Sequence, residues 1–141
     1  MKRIAICTVA MMMSPLSAFA ACNSSTMTGT WQMFSAPGNS TLACNISFRA
    51  AGAIDDTRST CTTHHPTFGD VLNIPIDANG KLTVKSDCTV SGSFGISGGS
   101  ATVTLKEGRL DGSRSTLTTT YITVSDGGAT TNRGIATWVR Y

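Results

Sequence analysis

The sequence predicts an all-β protein: an eight-stranded antiparallel up-and-down meander that closes into a small barrel and carries two disulfides. Three observations support this. From Lys81 to Ile96 the apolar residues Leu82, Val84, Cys88, Val90, Phe94 and Ile96 alternate with polar ones, the period of two of a strand with one buried face. Residues 21–141 hold 35 Ser plus Thr, 14 Gly and a single Glu, with no amphipathic 3.6-residue repeat. Such a Thr-rich, Glu-poor chain with regular turn signals reads as sheet. Finally, four separate turns set apolar faces that agree with one another.

Residues 1–20 stand outside that fold. Lys2 and Arg3 form a basic start, Ile4 to Met13 an apolar run, and Ala18-Phe19-Ala20 a small-x-small cleavage site. This is the pattern of a bacterial secretory signal, and its apolar run is too short to span a bilayer. Residues 21–141 then form a single domain of 9 basic and 8 acidic side chains. That balance offers no footprint for nucleic acid or an anionic membrane surface. Phe19-Ala20-Ala21-Cys22 loosely resembles a lipobox, which would put a lipid on Cys22. Cleavage after Ala20 leaves Cys22, Cys44, Cys61 and Cys88, an even set suited to two disulfides in an oxidising compartment. The expected form is therefore periplasmic or secreted, without an anchor.

The strands follow in order. The first is Gly29 to Ser35, with Trp31 and Met33 on one face. The second is Thr41 to Arg49, with Leu42, Cys44, Ile46 and Phe48 inward. The third, about Ala53 to Thr60, has little to bury, and a polar connection from Cys61 to Gly69 follows it. The fourth is Asp70 to Ile76, with Leu72, Ile74 and Ile76 aligned. The fifth is the long stretch Lys81 to Ile96. The sixth is Ala101 to Arg109, with Ala101, Val103 and Leu105 inward. Ser113 to Val124 and Thr131 to Tyr141 complete the meander.

Turn chemistry sets the register. Ala50-Ala51-Gly52 as a bulged three-residue loop aligns Phe48 with Ile54. The same device at Ala78-Asn79-Gly80 aligns Ile76 with Leu82, and at Leu110-Asp111-Gly112 it aligns Leu105 with Leu117. A two-residue turn at Gly98-Gly99 sets Phe94 against Val103 and Ile96 against Ala101. The three bulged loops, at 50–52, 78–80 and 110–112, fall at one end with the termini. The other end carries 36–40, 61–69, 97–100 and 125–130, the longer and more polar set, where binding usually resides. Its candidate residues are Pro37, Asn39, His64, His65, Phe68 and Asp126.

The register also ranks the disulfides. Extending the second hairpin offsets Cys44 from Cys61 by three residues, about 10 Å at ~3.4 Å each, beyond a disulfide's span. Cys61 and Cys88 fall at a common end. The expected bonds are Cys61–Cys88 and Cys22–Cys44.

Gly29-Thr30-Trp31 resembles the Gly-x-Trp opening of lipocalins and related small β-barrels. Arg140 sits where those barrels place an Arg over the Trp, a cation–π contact of ~1 kcal/mol. Cys44-Asn45-Ile46 is similar to the Cys-x-Ile strand of small periplasmic barrels that inhibit secreted metalloproteases. The resemblance implies that Gly29, Trp31 and Arg140 close the barrel. In the inhibitor family an N-terminal segment plugs the protease cleft, a role that would fall to Ala21 to Met27.

No catalytic pattern emerges. Adjacent His64 and His65 on an extended strand point to opposite faces and chelate poorly. There is no Gly-x-Ser-x-Gly elbow and no paired carboxylate in an apolar setting. Glu107, on the inward parity of Val103 and Leu105, is expected where the strand twists out to solvent. The outward faces are Thr, Ser, Asn and Lys, unlike a transmembrane barrel. The bulky interior set, with Ile46, Phe94, Leu117 and Tyr121, fills an eight-stranded barrel. We therefore expect a monomeric, non-enzymatic binding module without metal or cofactor. It would act through its open-end loops on a protein partner, such as a protease or other hydrolase that it inhibits. The alternative is a carrier of a small hydrophobic ligand in a lipocalin-like pocket.

Overall fold

The structure is a computed structural model describing residues 21–36, 38–67, 69–96 and 100–141. The expected export signal at 1–20 lies outside the described residues, as do Pro37, Phe68 and Ser97 to Gly99. One antiparallel sheet of nine strands contains β1 (Gly29–Ser35), β2 (Thr41–Phe48), β3 (Thr60–His65), β4 (Gly69–Pro75) and β5 (Lys81–Val84). It continues with β6 (Thr89–Ile96), β7 (Ala101–Leu110), β8 (Thr116–Ser125) and β9 (Thr130–Arg140). The order β4-β3-β2-β1-β9-β8-β7-β6-β5 makes the first and last strands neighbours, and the sheet curls into a half-barrel. Strands β4 and β5, consecutive in the chain, form its two opposite edges. Isolated bridges Ala53↔Lys81 and Ile76↔Ile96 reach between the two sides. No described helix is long and apolar enough to cross a membrane.

Antiparallel order sorts the connections. Those of β1–β2, β3–β4, β6–β7 and β8–β9 share one end, the mouth. Residues 49–59, 85–88 and 111–115 lie at the other, with the N-terminal arm and the C-terminus. The concave side buries Trp31, Met33, Ile46, Leu82, Phe94, Val103, Leu117 and Trp138. Trp138, on the inward parity of the last strand, packs against Phe48 and edge-on to Phe94, with ring centroids 6.3 and 6.2 Å away.

Two expected registers match the structure. Phe48 bridges Ile54 across Ala50–Gly52, and Phe94 faces Val103 with Ile96 opposite Ala101. Others need correction, each for a local reason. The stretch Lys81 to Ile96 is a hairpin, with Lys81↔Ser93 and Val84↔Val90, so Ile76 does not pair with Leu82. Its turn, residues 85–88, has four members. An even insertion leaves odd and even positions on the same faces, so the alternation runs through it unbroken. Leu110, not Leu105, faces Leu117, and a bulge between Leu105 and Glu107 sets Leu105 against Tyr121. The loop between them is held open by Asp111, whose Oδ1 accepts from the Ser115 and Thr116 amides at 2.9 and 3.0 Å. That bulge also reverses parity, so Glu107 is exposed.

The disulfides are Cys44–Cys61 and Cys22–Cys88, not the expected pairs. The expected offset of three residues is absorbed by a three-residue 3-10 turn, Asp56–Arg58, placed between Ile54 and β3. Ser59 mends the ladder around that detour. Its hydroxyl accepts from the Ser47 amide at 2.9 Å and donates to the Asp55 carbonyl at 2.6 Å. Asp55 N–H in turn donates to Ser47 O at 2.8 Å. Cys44 then faces Cys61 directly, with Cα atoms 3.9 Å apart. The predicted third strand is this turn, and the true third strand lies in the segment read as a connection. With Cys61 bonded to Cys44, Cys88 is left to the N-terminal arm, where Cys22 N–H also donates to Ser86 O at 3.3 Å.

Candidate functional site

The closed end is built on Gly29, Trp31 and Arg140, which the structure brings together. Trp31 faces Arg140 across the β1–β9 ladder, and the guanidinium carbon lies 5.1 Å from the ring centroid. The indole N–H donates to Met27 O at 2.8 Å. Arg140 donates to the carbonyls of Thr26 and, at 2.7 Å, Thr28. Those acceptors belong to the arm, where Ser24–Met27 form a 3-10 turn capped by the Asn23 side chain. Met27 and Cys22 are buried, and Cys22 is bonded to Cys88. The arm that the inhibitor resemblance would use as a plug is therefore fastened to the closed end of the half-barrel.

The mouth contains a cleft of about 350 Å³. Leu42 of β2, Val71 of β4 and Ile96 of β6 give it apolar walls, and Thr63, His65, Thr123 and Asn132 contribute polar groups. Strand periodicity explains the selection. Thr63 faces Val71 and His65 faces Gly69, so these four share the inner face of the β3–β4 hairpin. His64 and Asp70 form the alternate, outer pair. The His64 imidazole Nδ1 meets the Asp70 carboxylate, with both side chains more than half exposed, at 59% and 54%. Water competes for such a pair, so its energetic worth is small.

Beside the cleft, β4 presents Val71 at 55% and Leu72 at 63% exposure. Leu72 was expected inside. Between Cys61↔Ile74 and Thr63↔Val71 the ladder skips, two residues of β4 opposing one of β3. Asn73 takes φ +55° there, a bulge that turns Leu72 out. Asn is among the few residues that tolerate this conformation.

Of the other candidates, Asn39 is exposed in the β1–β2 turn, next to Ser40 and Thr41 of the cleft wall. Asp126 opens the Asp126–Gly128 turn at the same end, and its side chain lies outside the described residues. Leu42, Val71 and Ile96 were not singled out as site residues. Their signal was that each is an apolar residue close to a mouth turn. Among the described residues no three His, Cys, Asp or Glu form a metal-binding group.

Electrostatics are busier at the closed end. The Asp55 carboxyl is held below its ordinary range by the Arg49 guanidinium and the Thr57 hydroxyl. Asp87 is lowered by the Thr89 hydroxyl and amide, and Asp111 by the Ser113 hydroxyl and nearby amides. No protein-family model matches the chain, and no curated protein matches it.

Proposed function

We propose that this chain is an exported, non-catalytic binding module that holds a protein partner at its mouth. The observation that carries this reading is the apolar cleft set above a filled interior. Trp31, Trp138, Phe94, Met33 and Leu82 occupy the space below it. What reaches the mouth therefore meets a shallow seat, suited to an inserted apolar side chain of a protein surface. Exposed Val71 and Leu72 extend that seat outward, and a few anchors seated in desolvated pockets, aromatic ones above all, carry most of the binding energy at interfaces. A protease or other hydrolase that the module inhibits is one such partner. Two disulfides suit an oxidising compartment. The Cys22 sulfur, shared with Cys88, supports the form without a lipid there.

A carrier of a small hydrophobic ligand is the second reading, favoured by the cleft volume, about 350 Å³ with apolar walls, within the range of ligand sites. The test uses the oxidised protein and its Val71→Asp variant as paired baits in the native envelope fraction. The proposal expects a hydrolase or other protein retained by the parent and lost from the variant. A partner held equally by both would remove the mouth from the account. Saturable binding of a hydrophobic fluorophore, displaced by fatty acid, would select the carrier instead.

A further inference from the structure

A second surface lies on the outer wall, away from the mouth. The β7 bulge opens a hollow of about 460 Å³ lined by Lys106, Glu107, Thr120, Ile122, Arg133 and Ile135. Register places Ile122 beside Arg133 and Thr120 beside Ile135, so cations flank an apolar floor. Ile135 is 66% exposed there. Arg109 stands further along the same β7 wall, also exposed. Glu107 is the only carboxylate on β7, β8 or β9, and all seven aspartates belong to other parts of the chain. Among the described residues Lys106, Arg109 and Arg133 enter no ion pair, whereas Arg49 is matched by Asp55 and Asp56. The near-neutral total thus conceals a basic wall.

We propose that this wall docks an extended segment of a partner protein in which acidic and aliphatic residues alternate. A strand-like segment presents side chains with a period of two, so carboxylates can meet Lys106 and Arg133 while aliphatic groups cover Ile122 and Ile135. A small anion would leave the apolar floor wet. The exposed Phe34 of β1 and Val139 of β9 continue that floor toward the closed end, and a longer polypeptide covers both. Complementary charge at such a wall speeds encounter and selects the partner.

The probe is a fluorescein-labelled peptide of alternating Glu and Val, titrated against the purified, oxidised protein by anisotropy. Saturable binding is expected, weakening as salt rises. Arg133→Glu or Lys106→Glu should weaken it by about tenfold, and Ile135→Ser should weaken it as well. Arg133→Gln, with melting temperature unchanged, separates lost charge from lost fold and should also bind less tightly. The mouth variant Val71→Asp should bind as the parent does, so that this surface and the mouth stand or fall separately. Equal affinity for a Ser-Val peptide, or unchanged binding by the charge reversals, would overturn the proposal. So would phosphatidylglycerol vesicles binding in place of the peptide and losing affinity in the same variants.

Discussion

At the closed end, a disulfide, an indole hydrogen bond, a stacked guanidinium and three depressed aspartates converge on the loops and the N-terminal arm. At the mouth, the β3–β4 hairpin carries one exposed imidazole–carboxylate pair and leaves its edge strand bulged and open. The two edges of the sheet repeat the contrast. Strand β5 is covered by chain, since Ala53 bridges Lys81 and the Val84 amide donates to Ser24 Oγ at 3.5 Å. A Cβ on Gly52 would lie 1.9 Å from Leu82 O, so the covering segment fits only without a side chain. Strand β4 has Val71 and Leu72 exposed instead. Cross-links and hydrogen bonds are thus concentrated at the end opposite the mouth.

The largest expected effect comes from breaking the strong end. Trp31→Ala removes a fully buried ring, the acceptor face for Arg140 and the bond to Met27, and should cost ~3–5 kcal/mol. Thermal unfolding measures it. A melting temperature equal to the parent's would mean that the closed end does not hold the fold, and the comparison would fail. Next, Cys22→Ala with Cys88→Ala opens a link between residues 66 apart and should cost ~2–4 kcal/mol. Hydrogen exchange should then rise in the arm and the 85–88 turn while the β3–β4 hairpin keeps its rates. Faster exchange at the mouth alone would reverse the assignment.

The smallest effect is an acid one. Asp55, Asp87 and Asp111 have folded pKa values below the unfolded value. Their stabilisation is therefore complete above the unfolded value of ~3.9 and is lost as pH falls through the lower, folded values. Asp87 and Asp111 are exposed and Asp55 is half-buried in a loop, so the loss should be a loosening of the closed-end loops short of unfolding. Protection of the Ser115 and Thr116 amides, both bonded to Asp111, should fall at acid pH once intrinsic exchange rates are divided out, and Asp111→Asn should abolish that fall. No change at those amides on acidification would show that the carboxylate does not hold the loop.

What was legible in the sequence followed from parity and turn chemistry. Gly98-Gly99 placed Phe94 opposite Val103, and Gly29-x-Trp31 with Arg140 located the closed end. Parity also explains what was missed. It cannot see the four-residue turn at 85–88, where Asp87 accepts from the Thr89 amide at 3.0 Å and Cys88 takes φ +66°. It also misreads bulges, which is why Leu72 was expected inside. The site suffered most from edge placement. Nothing in Val71 distinguishes a strand at a sheet edge from one in its centre, because partners across a sheet are a property of topology. The β1–β2 and β8–β9 connections were placed at the mouth, but the connection read at 61–69 is largely strand β3, and the apolar wall of the cleft came from Leu42 and Ile96 on distant strands.

The nested order of the disulfides has a consequence for how the chain matures. Cys44–Cys61 lies wholly inside the interval spanned by Cys22–Cys88. As the chain emerges from its N-terminus, Cys22 meets Cys44 first and its proper partner last. Oxidation in order of appearance would join Cys22 to Cys44 and strand Cys61 with Cys88. Reaching the native pairs then requires that Cys22 and Cys44 stay unpaired until Cys61 is present, or that a thiolate exchanges the early bond for the later one. The detour at Asp56–Arg58 works in the same direction. By bringing Cys44 opposite Cys61 as soon as β3 forms, it lets a local hairpin withdraw both sulfurs from competition and hold Cys22 in reserve for Cys88.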